Sequence, residues 1–291
     1  MGKKRKKGGR KSGASFSWAL ILTGFILGFA AAFLVLKYGT MAPVAPPSTA
    51  SLEKKEPLET MPLPPEKVSL PVARVAILID DMGGNLSSLK EILSLELPIT
   101  ISVLPRLKHS REVSRIAAMS GRDVLLHLPM EPKNRVVNHP GPGVVLTEMA
   151  EPLIRKTVME DLEFVPEAIG TNNHMGSRFT EDEPAMRKVF TILKERGLFF
   201  VDSRTTSASI GTRLATETGI PHATRDVFLD NERDVLYIDG QIKTLVNIAR
   251  KRGTAIGIGH PYPETLAALK KVLPLLKEEG IEVVPVSELL K

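Results

Sequence analysis

Seven residues, Val75-Ala76-Ile77-Leu78-Ile79-Asp80-Asp81, constrain the fold of this chain more than any others. An apolar run stops at two adjacent carboxylates. Unbroken Val/Ile/Leu character marks a strand covered on both faces, as in a parallel sheet under helices. Burying two carboxylates is costly, so they belong where the strand leaves the core. Gly83 and Gly84 follow at once and suit a tight turn or the close approach of a ligand. In parallel α/β folds the C-terminal strand ends carry the functional site. Asp80 and Asp81 therefore read as the floor of a site to which later strands add.

The alternation of strand and helix continues to the end of the chain. Leu86, Leu89, Ile92 and Leu93 form a helical stripe, and 99–104 reads as a second strand. Ser110 is placed to cap a helix that Gly121 ends. A third strand covers 123–128. The Pro/Gly-rich stretch 129–150 is longer than most connections, which marks a functional loop. Pro152 opens a helix, and 168–171 is a short fourth strand. Thr180 and Glu183 make a capping-box pattern ahead of the next helix. Further strands fall at 198–201, 227–229, 254–258 and 281–286, with helices at 235–251 and from Pro263. Repeated βα units imply right-handed crossovers and a parallel sheet, open or closed. Seven or eight strands in about 220 residues fit a distorted (β/α) barrel better than a two-layer Rossmann sheet. The first βα turn has no G-x-G-x-x-G, so a dinucleotide site is not supported.

The net charge of +6 and pI of about 9.4 suggest nucleic acid until the charge is located. Lys3, Lys4, Arg5, Lys6, Lys7, Arg10 and Lys11 supply more than all of it, so no nucleic-acid partner is expected. Trp18 to Leu36 contains no charged residue, and roughly 20 apolar residues span a bilayer. The preceding basic run keeps that end in the cytoplasm, and Trp18 and Tyr38 flank the span as interfacial aromatics do. The chain thus divides into a basic cytoplasmic tail (1–16), a transmembrane signal anchor (17–38), a flexible Pro-rich linker (39–71) and the folded domain (72–291). The expected location is the inner membrane of a bacterium, single pass, with the C-terminal domain in the periplasm. Gly24 and Gly28 make a small-xxx-small face for a weak dimer through the anchor. The chain has no cysteine, so redox chemistry of that compartment imposes nothing.

Chemistry gathers at the strand ends. The first gives Asp80 and Asp81, and the third gives His127 followed by Glu131. The fourth gives Asn172, Asn173 and His174, and the fifth Asp202, Ser203 and Arg204. Around the sixth lie Arg225, Asp226 and Asp230, and the seventh gives His260. Carboxylate and imidazole on separate strands are what a hydrolytic zinc-type site needs. The bland alternative is a set of hydrogen-bonded packing histidines. Nucleophilic catalysis is less supported: there is no Cys and no G-x-S-x-G, and Ser177 and Ser203 have no evident base.

Ile79-Asp80-Asp81 resembles the first motif of the polysaccharide deacetylases. The segments Leu126-His127-Leu128-Pro129-Met130-Glu131-Pro132, Asn173-His174-Met175-Gly176-Ser177, Val201-Asp202-Ser203-Arg204-Thr205, Arg225-Asp226-Val227-Phe228-Leu229-Asp230 and Gly259-His260-Pro261 are similar to their divergent bacterial branch. The resemblance covers nearly all of Val72 to Lys291 and implies a distorted (β/α)7-type barrel, here preceded by a single transmembrane helix and a Pro-rich linker. It implies that Asp80 is a base, Asp81 a metal ligand and His260 the general acid. His127 matches the first histidine of the second motif, while Glu131 stands where a second histidine is usual. Either Glu131 or His174 completes the ligand set Asp81, His127, His174 and Glu131. The arginine-proline motif of the wider family is replaced by His174-Met175-Gly176-Ser177. Asn173, Asp202, Arg204, Arg225, Asp226 and Asp230 are assigned to substrate binding. The implied activity is zinc-dependent removal of acetyl groups from N-acetylated cell-envelope glycan. The alternative is a non-catalytic envelope protein that uses the barrel to bind glycan or a protein partner.

The anchor generates a first prediction. A reporter active only after export, fused after Lys291, is expected to be active. Activity from a cytosolic reporter alone would refute the assignment.

Overall fold

The apolar run becomes the central strand of a parallel sheet. The computed structural model describes residues 73–291; the tail, anchor and linker expected before them lie outside the described residues. Among the described residues no helix is long and apolar enough to cross a membrane. Strand β1 (Ala73–Met82) pairs in parallel with β2 (Thr100–Val103) on one edge and with β8 (Thr254–Gly259) on the other. Beyond β2 lie β3 (Val124–Met130), β4 (Gly170–Met175), β5 (Phe199–Asp202) and β6 (His222–Thr224). Beyond β8 lies β7 (Val227–Phe228), and β9 (Ile281–Val283) pairs with the start of β1.

Seven helices connect these strands: α1 (Ser87–Leu93), α2 (Ser110–Met119), α3 (Glu151–Leu162), α4 (Glu183–Glu195), α5 (Gly211–Thr218), α6 (Val235–Arg252) and α7 (Pro263–Glu278). All ladders are parallel, and the sheet curls into a half-barrel.

The expected distorted (β/α)7-type barrel is realised as a half-barrel, left open at a seam between β6 and β7. These terminal strands of the path do not pair with each other. Parallel neighbours need a crossover of a dozen or more residues, and only Arg225 and Asp226 lie between them. Asp226 instead ties the start of β7 to β8. Its amide donates to Ile256 O (2.8 Å), and its carboxylate accepts from Ile256 N (2.9 Å).

Smaller expectations also shift. Helix α4 is capped by Asp182, whose Oδ1 accepts from Ala185 N, while Thr180 donates to Gly176 O, so no Thr180/Glu183 box forms. Ser110 lies in the first turn of α2 rather than before it; its hydroxyl donates to Leu104 O and accepts from Leu107 N. Helix α5 and strand β6 carry too few apolar residues to stand out in the sequence.

Alternation along the strands builds two cores. One face packs on the helices, burying Val75, Ile77, Ile79, Leu126, Leu128 and Phe200. The concave face buries Ala76, Leu78, Leu125, Phe199, Val201, Ile256 and Ile258 beneath the strand ends. The loop after β3 folds back onto that strand. Val145 N donates to Pro129 O, and Glu131 N donates to Val145 O.

Phe200 tests how far the outer core supports the strand ends. Its ring meets Phe190 edge-on at 5.0 Å and is fully buried. Phe200→Ala should cost about 3–5 kcal/mol, read from denaturant midpoints. A cost below about 1 kcal/mol would show that this core collapses around the gap.

Candidate metal centre

The concave face turns polar one step above its apolar floor. Side chains two apart along a strand share a face. Thus Leu78 leads to Asp80, Leu125 to His127, and Val201 to Ser203. Asn172 lies opposite His127 in the β3–β4 register. Asp81 should face the other way, yet the register of β1 against β2 slips between Ile79 and Met82. Three steps on β1 match two on β2, which is a bulge, and bulges re-aim side chains beside functional sites. Asp81 sits at the bulge with φ +56°, a region sparsely occupied by non-glycine residues. Met175 and Arg204, at the ends of β4 and β5, share that backbone with φ of +54° and +47°.

Three electron-rich atoms then converge. Asp81 Oδ1 lies 3.3 Å from His127 Nε2 and 3.0 Å from His174 Nδ1, and the two ring nitrogens are 3.1 Å apart. Behind His127 stands Asn172, whose Oδ1 is 2.9 Å from His127 Nδ1. An amide oxygen only accepts, so His127 holds a proton on Nδ1 and turns Nε2 toward Asp81 and His174. The Nδ2 of Asn172 donates to Asp80 Oδ1 (2.8 Å) and Ser203 Oγ (3.2 Å). One buried amide therefore fixes a histidine tautomer and a carboxylate together. Asn172 carries no role in the sequence-level assignment. Its signal was a polar residue at an inward position of a buried strand.

The electrostatics fit a cation. Asp81 Oδ1 is buried and has no hydrogen-bond partner. An unsatisfied buried acceptor of this kind is costly. Burial raises the affinity of Asp81 for a proton, but His127 and His174 outweigh it and hold the carboxyl well below the usual range. Burial likewise opposes charge on His127, and Asp80 and Asp81 override it to raise its pKa. Asp81, His127 and His174 offer one ligand atom each, all within 4.8 Å of one another. Their oxygen and nitrogen donors suit zinc or a similar divalent ion.

The last strand end completes the wall. His260 Nε2 lies 4.0 Å from Asp81 Oδ2, and its Nδ1 is 2.9 Å from Asp230 Oδ1. The other Asp230 oxygen accepts from His260 N (2.6 Å) and Thr265 Oγ1 (2.7 Å). Burial works against charge on His260, but Asp230, Asp80 and Asp81 push its pKa up to about 9. Phe228 and Tyr262 stack on its ring, with centroids at 6.3 and 5.3 Å.

Several predicted site residues stand elsewhere. Glu131 is not in the ligand cluster: its Oε2 accepts from Thr147 N and Oγ1, both at 2.8 Å, and Arg135 and Arg178 lie 3.7 Å from Oε1. It pins the loop after β3. Asn173 accepts from Ser203 N and donates to Met175 O, which ties β4 to β5. Asp202 accepts from Arg204 N and Ser209 Oγ, and Asp226 is engaged by Ile256 N and Arg252. These three carboxylate or amide side chains are spent on structure. Asp230 serves His260. Arg204 and Arg225 lie together at the seam.

A metal-binding measurement follows. Loaded zinc should raise the melting temperature of the native protein and not that of His127→Ala. Asn172→Ala should weaken zinc binding about 10- to 100-fold through the lost support of His127. Less than about a tenth of an equivalent of zinc after loading would mean that no such site forms.

The model of the divergent polysaccharide deacetylase family matches residues 77–290. An uncharacterized protein of Haemophilus influenzae is 37% identical over 71% of this chain and 73% of its own. The uncharacterized Escherichia coli protein YibQ is 35% identical, over 75% of this chain and 67% of its own. The crystal structure of an uncharacterized protein from Agrobacterium tumefaciens superposes with a TM-score of 0.72 at 26% identity, covering 76% of this chain and 90% of that one. A family match over the whole half-barrel, with the quoted motifs at its strand ends, shows that this chain belongs to the divergent polysaccharide deacetylase family.

Proposed function

We propose that the protein removes acetyl groups from an N-acetylated cell-envelope glycan. The observation that carries this reading is the grouping of a three-donor cluster with one buried carboxylate and one high-pKa histidine. Asp81, His127 and His174 would hold a divalent cation, which would supply Lewis acidity toward the carbonyl and toward water. Asp80, fixed by Asn172, accepts the proton that the attacking water loses. His260, held by Asp230 and protonated at neutral pH, gives its proton to the amine nitrogen as the C–N bond breaks. The products are acetate and a free amine on the sugar. The stacked rings of Phe228 and Tyr262 keep the His260 imidazole in one plane. The N-terminal anchor would hold this chemistry at the outer face of the cytoplasmic membrane, within reach of the glycan.

A second reading has one observation in its favour. The position expected to hold a second motif histidine is Glu131, which is engaged by Thr147 and two arginines. A half-barrel that binds glycan without hydrolysing it would tolerate that change.

Acetate release from cell-wall fragments by the zinc-loaded protein separates the two. Asp80→Asn and His260→Ala should each lower the rate by about 10²–10⁴-fold, with zinc still bound. Bound zinc without any acetate release favours the binding reading. Unchanged release by Asp80→Asn would remove Asp80 as the base.

A further inference from the structure

The open seam between β6 and β7 is not empty of chemistry. It encloses a cavity of about 350 Å³ whose charged lining comprises Arg204, His222, Arg225, Asp226, Arg252 and Lys291. Arg252 pairs with Asp226 at 3.1 Å, which cancels one charge of each sign. Arg204 and Arg225 have no carboxylate within ion-pair distance among the described residues. This excess is local, because residues 73–291 carry acidic and basic side chains in equal number to within one.

Arg225 is held in place without being neutralised. Its Nε donates to Ser203 O (2.7 Å) and its Nη2 to Arg204 O (3.0 Å). Its guanidinium lies flat over Phe228, 3.8 Å from the ring centre. Carbonyls and a ring fix the fork, and the carboxylates of Asp202, Asp226 and Asp80 act on its charge only from beyond ion-pair distance. Burial, then the neighbouring charge of Arg204, lowers the affinity of Arg225 for its proton. Two adjacent like charges are costly unless an anion joins them. Arg204 is exposed and held at φ +47°, beside that guanidinium. A planar fork with free N–H groups matches a carboxylate in two-point geometry. Phe228 touches both groups: Arg225 lies over its ring and His260 stacks with it, centroids 6.3 Å apart, which places the cation near the proposed reacting position.

We propose that Arg204 and Arg225 form a subsite for a carboxylate carried by a sugar next to the one deacetylated, so that the preferred ligand is an anionic rather than a neutral N-acetylated glycan. This rests on the glycan reading above but not on catalysis. The test uses the full-length, zinc-loaded protein and one N-acetylated oligosaccharide in two forms, with free carboxylates on alternate sugars or with those carboxylates converted to methyl amides. The free-acid form should bind at least about tenfold more tightly. Arg225→Gln should abolish that preference. Arg204→Gln, at an exposed position, should reduce the preference in the same way, and keeps the test decisive if the buried variant misfolds. Equal dissociation constants for the two forms, or no binding of either, would overturn the subsite. Acetate release, followed in parallel, separates the two claims. Charge-dependent binding without release leaves the subsite standing and removes the catalytic reading, whereas equal binding and release from both forms does the reverse.

Discussion

A buried carboxylate oxygen with no hydrogen-bond partner is the constraint around which this half-barrel is arranged. Asp81 Oδ1 faces two histidine nitrogens, at 3.3 and 3.0 Å. Such an atom is unfavourable unless something positive stands among the three. The bulge in β1, the left-handed backbone at Asp81, and the amide of Asn172 behind His127 all hold that arrangement in place. None of these features lowers the energy of the strand. Each aims a lone pair at a common point. Preorganisation of this kind is expected where a cation, and not a neighbouring side chain, completes the electrostatics.

The half-barrel's incompleteness has a consequence of the same sort. A closed barrel would fill the β6–β7 gap with ladder hydrogen bonds. Here the two-residue link leaves an open seam, and cationic side chains line it. Phe228 joins the two regions, since its ring stacks with His260 and carries the Arg225 guanidinium over it. A ligand lying along that wall would meet the metal-ligand cluster, a stacked imidazole and a fixed guanidinium in sequence.

Much of this was legible from residue order. The Val75–Asp81 run located the central strand and its functional end, because burial on both faces leaves no room for polar residues until the strand emerges. His127, His174 and His260 stood out for the same reason, as polar side chains at the ends of apolar runs. What escaped notice depends on register. Asn172 and Asn173 are adjacent and alike in composition. Only the pairing of His127 with Asn172 shows that one faces the site while the other ties two strands together. Arg225 and Asp226 differ similarly: one lines the cavity and lies over Phe228, and the other is spent tying β7 to β8. The seam itself was invisible, since β6 and α5 are short and weakly patterned.

Glu131 shows why spacing alone misassigns a ligand. Two residues four apart lie side by side on a helix, about one turn apart. On an extended strand the same spacing carries them roughly 13 Å apart, at about 3.3 Å per residue. Strand β3 persists through Met130, so Glu131 cannot reach an ion held by His127 while that strand stays paired. Its side chain turns to Thr147 and locks the loop that returns along β3. His174 has no such obstacle. It comes from the neighbouring strand, opposite Pro129, and one step of inter-strand distance brings its ring nitrogen to His127. A ligand set drawn from the ends of separate parallel strands, β1, β3 and β4, is therefore the one that this sheet can build, and the motif's second position is free to serve the loop.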